Sequence, residues 1–221
     1  MVIMDNNTLK PISGEKYRHQ NGIKAIKDGI KVSVEYTDEK RLKKPDWFKV
    51  PMPSGENFIS LKNRVKKLNL SSVCEESKCP NIAECWNHKT ATLMVMGNVC
   101  TRACKFCAVD TGNPNGWLDE DEPKNIADTI AFMSLEYVVL TSVDRDDLSD
   151  GGSSHIARCV DASKKLSPDI VIEVLSPDFK GNIDHLDILL SSGLDVFSQN
   201  IETVERLTSS VRDPRAGYDQ T

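Results

Sequence analysis

Six of the seven cysteines of this 221-residue chain fall between Cys74 and Cys107. Three of them stand in Cys100-Thr101-Arg102-Ala103-Cys104-Lys105-Phe106-Cys107, a C-x-x-x-C-x-x-C loop. The thiolate is the form of cysteine that binds metal, and Arg102 and Lys105, lying between the thiols, are expected to favour it. A four-iron cluster ordinarily takes four thiolates, so a loop offering three leaves one iron with an open coordination site. The competing readings are a zinc knuckle, which needs a closed set of four ligands, and a redox or buried thiol cluster. The odd ligand count suits iron better than either.

The other triple is Cys74-Glu-Glu-Ser-Lys-Cys79-Pro-Asn-Ile-Ala-Glu-Cys85-Trp86, a C-x4-C-x5-C pattern that again offers three thiols. Zinc with His88 as a fourth ligand is one reading. A second iron-sulfur cluster is the other, and the neighbouring loop favours it. Cys159, beside Ile156, Ala157 and Val160 in a helical stretch, reads as a small buried hydrophobe with no chemical role.

The flanking pattern predicts the elements that position these cysteines. Pro51, Pro53 and Gly55 punctuate the chain before Glu56–Leu70, where Phe58, Leu61, Val65 and Leu68 mark one helical face. Pro80 is placed to start a short helix presenting Cys85. Thr92–Gly97 is a short apolar run that suits a strand buried on both faces, so the Cys100 loop leaves the carboxyl end of a strand. Pro123 opens a helix carrying Ile126, Ala127, Ile130 and Ala131. Tyr137–Val143 is a second strand, followed by the loop Asp144–Gly152 and a helix to about Leu166. Ile170–Leu175 makes a third strand. Asn182 caps a helix with Ile183, Leu186, Leu189 and Leu190 inward, Gly193 ends it, and Leu194–Phe197 makes a fourth strand. Alternating strands and helices of this length predict an α/β fold with a parallel sheet, whose carboxyl strand ends are where active sites collect.

Hydrophobic residues at 39% and charged residues at 28% are ordinary for a globular chain, and a formal charge of -5 argues against general nucleic-acid binding. No run approaches the roughly 18 apolar residues of a membrane span. The opening residues mix acids with lysines and resemble neither a signal peptide nor a transit peptide. Clustered cysteines without an export signal point to a reducing, cytoplasmic setting. Residues 1–36 read as a partly ordered extension with little function. Residues 37–90 carry the triple Cys74, Cys79 and Cys85, and 91–221 the strand-helix units. Within Asp38–Lys49 the basic run Lys40–Lys44 before Trp47 and Phe48 reads as a solvated segment pinned by aromatics, or as a docking patch for an acidic partner.

The three-thiol loop at the end of a first strand resembles the signature of the radical S-adenosylmethionine enzymes. The two triples together, with Thr90–Gly97, Thr111-Gly112, Leu140–Leu148, Asp150-Gly-Gly152 and Asn200-Ile-Glu-Thr203, are similar to the lipoyl synthase family. That resemblance implies a partial parallel TIM-type barrel of the radical S-adenosylmethionine kind, with about four of six strand-helix units present. It implies two [4Fe-4S] clusters. One, on Cys100, Cys104 and Cys107, binds S-adenosylmethionine and cleaves it to a 5'-deoxyadenosyl radical; the other, on Cys74, Cys79 and Cys85, is an auxiliary cluster that gives up its sulfides. Phe106 is expected beside the adenine, and Thr141, Gly151, Gly152, Asn200 and Glu202 along the S-adenosylmethionine site. The implied substrate is an octanoyl-lysine on a lipoyl-carrier domain, either the glycine cleavage H protein or a 2-oxoacid dehydrogenase E2. A low-potential donor such as ferredoxin or flavodoxin would supply electrons, and neither nucleic acid nor membrane is implied. The family's auxiliary cluster is completed by the serine of a late Arg-Ser-Ser segment. Ser209-Ser210 stands in a different context, so the chain is expected to be cut short and, as it stands, poorly stable or inactive in converting an octanoylated carrier to the lipoylated form.

Overall fold

The computed structural model describes residues 2–3, 11–19, 21–29, 45, 52–77 and 79–221. The basic run Lys40–Lys44 and the anchors Trp47 and Phe48 lie outside the described residues.

Four parallel strands carry the fold: β4 (Thr90–Val95), β7 (Tyr137–Ser142), β8 (Val171–Leu175) and β9 (Val196–Ser198), hydrogen-bonded in that order. Leu93 lies opposite Leu140, Leu140 opposite Val174, and Val174 opposite Phe197. Leu93, Val95, Val138, Leu140, Ile172 and Val174 are wholly buried, as expected of strands covered on both faces. Each strand is followed by a helix: α4 (Glu122–Met133), α5 (Ser153–Leu166), α6 (Ile183–Leu190) and α7 (Glu205–Val211). The chain is thus an α/β protein, with four strand-helix units among the described residues. α5 spans the predicted residues and buries Ile156, Val160 and Cys159, which supports the reading of that cysteine as a hydrophobe. The Asn182 side chain caps α6 by accepting from the Asp184 N–H at 2.9 Å.

α6 departs from its expected inward face. Leu189 is buried, but Ile183 is 71% and Leu190 47% exposed. Among the described residues the helix packs chiefly on α5, and β9 is an edge strand of the sheet whose Val196 and Phe197 are each 38% exposed. The apolar pattern is wider than the surface available to bury it among the described residues.

Ahead of the sheet, α1 (Glu56–Lys67) buries Phe58, Leu61 and Val65. The Ser72 hydroxyl caps α2 (Val73–Glu76) by accepting from the Cys74 N–H. α3 (Ile82–Asn87), which begins two residues after Pro80, buries Ile82 and Trp86, the latter against Phe58 at 5.5 Å between ring centroids.

Within the expected N-terminal extension, the described residues 11–19 and 21–29 form regular structure. β2 (Lys16–Arg18) and β3 (Lys24–Ile26) form an antiparallel hairpin with Tyr17 opposite Ala25, and both residues are buried. The apolar alternation is only one residue deep on each strand, which hides it among the flanking charges. β3 continues onto β6 (Asp110–Gly112), and β1 (Val2–Ile3) and β5 (Val99–Cys100) complete a second sheet in the order β1-β2-β3-β6-β5. Tyr17 donates to the Asp110 carboxylate, and the Lys27 ammonium reaches it at 3.1 Å. A Cβ at Gly112 would lie 2.3 Å from the Lys24 carbonyl oxygen, so this strand pairing requires glycine. The hairpin is therefore built onto the exit strand of the cysteine loop. No helix of the described residues is long and apolar enough to cross a membrane.

Candidate active site

The chain leaves β4 through Met96 (φ 67°) and Gly97 (φ 81°) and enters the cysteine loop at β5. A left-handed methionine needs support. Its N–H donates to Glu122 Oε2 at 2.8 Å, and the same oxygen lies 2.6 Å from His155 Nε2. Arg158 sits 3.0 Å from His155 Nδ1. Because a guanidinium can only donate, Nδ1 is the acceptor and Nε2 carries the proton given to Glu122. Glu122, His155 and Cys159 place their ligand atoms within 4.8 Å of one another. With Nε2 protonated and arginine on the other ring nitrogen, they form a hydrogen-bonded bracket and not a cation site. On the other side of the turn, a Cβ at Gly152 would lie 2.1 Å from Met96 Sδ.

Within the loop each of the three sulfurs accepts at least one backbone N–H: Cys100 from Arg102 at 3.4 Å, Cys104 from Asp213 at 3.3 Å, and Cys107 from Val109 at 3.5 Å. Arg102 does not serve the thiols as expected. Its side chain is 2% exposed and is forked onto Asp146 at 3.0 Å and Asp178 at 2.7 and 2.8 Å, with Asp144 at 3.4 Å. A guanidinium presents its donors in one plane, and three carboxylates outcompete a neutral thiol for them. Burial, aided by the Asp144 carboxylate, pushes the Cys100 thiol up to about 12, and burial raises Cys104 as well.

The other triple lies on α2, α3 and the turn between them. Cys74 and Cys79 are half-buried and Cys85 is exposed. The Cys79 N–H donates to the Cys74 carbonyl at 3.0 Å. Burial and then the nearby Cys74 and Cys79 sulfurs raise the Cys85 thiol. Tetrahedral zinc with Zn–S bonds of about 2.3 Å would draw its sulfurs to within about 4 Å. Among the described residues neither triple, nor the second with His88, is gathered to single-ion spacing.

A cavity of about 130 Å³ opens at the carboxyl ends of β7, β8 and β9, lined by Thr141, Asn200 and Glu202 together with Arg102, Asp144 and Arg212. The Thr141 hydroxyl donates to the Leu175 carbonyl at 3.2 Å. Glu202 holds a left-handed φ of 66°, a conformation that non-glycine residues adopt under constraint. Burial pushes the Asp144 carboxyl up to about 6 against the opposing pull of Arg102. Gly151 lines a smaller neighbouring cavity that shares Arg102 and Asp144. Gly152 and Phe106 line neither: Gly152 packs on Met96, and Phe106 is 51% exposed on the outside of the loop.

Residues 94–221 match the family model of the Radical SAM superfamily. The chain belongs to the radical SAM superfamily. Residues 16–79 match the N-terminal domain of lipoyl synthase of the Radical SAM family. The chain is 57% identical over 210 residues to a lipoyl synthase of Marinobacter nauticus, covering 95% of this chain and 60% of the relative. It is likewise 57% identical over 209 residues to a lipoyl synthase of Legionella pneumophila strain Corby, covering 95% and 63%. Against a lipoyl synthase of Francisella tularensis subsp. novicida the figures are 55% over 213 residues, 96% and 64%. The chain thus spans roughly three fifths of the length of these curated relatives.

Membership in the radical SAM superfamily implies a [4Fe-4S] cluster and S-adenosylmethionine, and the donor set fits both. Three cysteines whose sulfurs are each met by a backbone N–H suit cluster ligation. Ser142 Oγ and Arg212 Nε line the cavity, are buried and have no hydrogen-bond partner among the described residues, so the cavity wall offers a hydroxyl and a cation to a ligand. Sequence reasoning did not single out Ser142, Arg212, Asp144 or Asp213 as site residues. Arg212 and Asp213 directly follow α7, and only the fold carries that stretch to the cysteines.

Proposed function

We propose that the chain is the catalytic portion of a lipoyl synthase, a cytoplasmic radical SAM sulfurtransferase that inserts sulfur at carbons six and eight of a protein-bound octanoyl-lysine. The observation that carries this reading is the second cysteine triple: Cys74 and Cys79 stand at the end of the segment that matches the lipoyl synthase N-terminal domain, Cys85 follows it on α3, and α2 and α3 pack beside the first strand of the sheet.

In this reading Cys100, Cys104 and Cys107 hold the cluster that binds S-adenosylmethionine, and Cys74, Cys79 and Cys85 hold an auxiliary cluster. The bound groups supply the electron that cleaves S-adenosylmethionine and the sulfur that is inserted. The chain's own residues bind and orient. Arg212 faces the carboxylate of S-adenosylmethionine, a charge-assisted pairing. Ser142, Thr141, Asn200 and Glu202 receive its polar groups at the strand ends, Gly151 lets the neighbouring loop approach, and Phe106 covers the adenine by moving inward from its exposed position. The four strand-helix units form part of a TIM-type barrel. The octanoyl chain arrives on an H protein or E2 lipoyl domain, and ferredoxin or flavodoxin is the electron donor.

The test is anaerobic reconstitution of the full chain with iron and sulfide, followed by dithionite and S-adenosylmethionine. The expected result is about eight irons per chain and formation of 5'-deoxyadenosine. Cys85→Ala should lose about half the iron and keep 5'-deoxyadenosine formation, whereas Cys104→Ala should lose both. A colourless zinc protein without sulfide, or a clustered protein that makes no 5'-deoxyadenosine, would refute the proposal.

A further inference from the structure

The segment after α7 folds back over the cysteine loop. The Lys105 N–H donates to the Val211 carbonyl at 2.9 Å, and the Ala103 N–H donates to Asp213 Oδ2 at 2.9 Å. The Asp213 N–H donates to Cys104 Sγ at 3.3 Å, and Arg215 Nη2 donates to the Thr101 carbonyl at 2.7 Å. Four of the five residues from Thr101 to Lys105 are thus gripped by a segment about 110 positions later in the chain. The grip is itself braced. Arg215 forks onto Asp213 at 2.8 and 2.9 Å and reaches Asp146 at 3.3 Å, and the Asp213 side chain is 5% exposed. None of this is needed to close the sheet or to line the cavity, so the contacts concern the loop itself.

We infer that Asp213 is a positioning residue for the radical cluster: its carboxylate fixes the Ala103 peptide so that its own N–H is held against the Cys104 sulfur. The inference rests on the reading of Cys100, Cys104 and Cys107 as cluster ligands. A hydrogen bond to a ligating sulfur stabilises the more negative, reduced state of a cluster, so it raises the reduction potential. Arg215 acts at one remove, by holding Asp213.

The experiment uses the full chain with Cys74, Cys79 and Cys85 replaced by alanine, so that one cluster is seen. Its midpoint potential and reduced-state electron paramagnetic resonance spectrum are compared with those of Asp213→Ala, Asp213→Asn and Arg215→Gln. Asp213→Ala should lower the potential and alter the spectrum, and Asp213→Asn, which keeps an oxygen for the Ala103 N–H, should restore most of both. Arg215→Gln should give a smaller shift in the same direction, and it carries the test if Asp213→Ala fails to retain a cluster. An unshifted potential in whichever of these two retains the cluster overturns the inference, as does an asparagine variant shifted as far as the alanine. A parent chain that assembles no cluster on the loop defeats the ligand assignment first, and the inference with it.

Discussion

The loop after β7 is held by a buried ion pair whose removal has a calculable consequence. Arg145 is 0% and Asp147 5% exposed at the side chain, and the guanidinium forks onto the carboxylate with both distances at 2.8 Å. Arg145 also donates to the Trp117 carbonyl at 2.8 Å, and Asp147 accepts from the Gly116 N–H at 2.7 Å. Asp147→Asn leaves the shape and strands a positive charge without water, which costs about 3–5 kcal/mol. Against a total stability of about 5–15 kcal/mol, and with a urea m-value of about 2 kcal/mol/M, the unfolding midpoint should fall by about 2 M. Burial alone would raise the Asp147 carboxyl, but the hydrogen bonds from Arg145 and the Gly116 N–H outweigh it and hold the group below the usual carboxylate range. A depressed folded-state value means a contribution that is full above the unfolded pKa of about 3.9 and lost as pH falls through the folded value. The gap between parent and variant should therefore be constant from pH 8 to pH 6 and close below about pH 4. Tryptophan-monitored urea unfolding at pH 7, 5 and 3.5 measures it. The double variant Arg145→Met with Asp147→Leu should recover much of the loss, because it removes the stranded charge. A gap below about 1 kcal/mol at pH 7, or one that persists unchanged at pH 3.5, would refute the reasoning.

Three further outcomes follow from single contacts. Arg212→Met should weaken S-adenosylmethionine binding to the reconstituted chain about 10- to 100-fold, the worth of one charge-assisted hydrogen bond; equilibrium dialysis showing no change removes Arg212 from the site. Gly152→Ala places a Cβ 2.1 Å from Met96 Sδ at a φ of 89° and should cost about 2–3 kcal/mol, seen as a lower melting temperature that Met96→Ala partly restores. The exposed apolar edge of Leu190, Val196 and Phe197 should drive concentration-dependent association that Phe197→Lys suppresses; sedimentation of parent and variant as identical monomers would show that the edge is harmless.

Much of the fold was legible because it rests on periodicity. The bounds of α5, the Asn182 cap and the strands at Tyr137 and Val171 follow from apolar spacing and cap residues, which act locally. The two cysteine triples are visible in the sequence as short motifs, and the structure carries one on the loop after β5 and the other on α2, α3 and the turn between them. Where tertiary partners decide, the sequence was silent or misleading. Arg102 sits among thiols in sequence and among aspartates in space. Gly152 stands in a Gly-Gly pair that resembles a ligand loop, yet the second glycine is occupied by Met96. The Leu190 side of α6 is apolar in pattern and exposed in fact. The Tyr17 hairpin is too short for its alternation to stand out. Ser142 and Arg212 became visible as site residues only through the absence of a partner in a buried cavity.

The supports of the cysteine loop explain why so many charges gather on a protein of modest net charge. Between Cys100 and Asp110 the backbone has no strand partner among the described residues, and its supports come from other parts of the fold. Arg102 ties it to Asp146 and Asp178, Arg145 anchors the turn before it, the Glu122–His155 bracket holds Met96, and Asp213 with Arg215 closes it from behind. Buried ion pairs add little net stability, since desolvation offsets their attraction. What they do supply is a fixed direction, because a forked guanidinium tolerates little rotation. Apolar packing of equal strength would let the loop slide by a fraction of an ångström. Under the proposed function, a cluster held on these three sulfurs beside a cavity that grips a cosubstrate would have no tolerance for that slide. Asp146 and Asp178 brace the loop through Arg102, and both Asp178 and Arg102 also line the cavity. Loop and cavity are therefore one mechanical unit, and a change that frees either should loosen both.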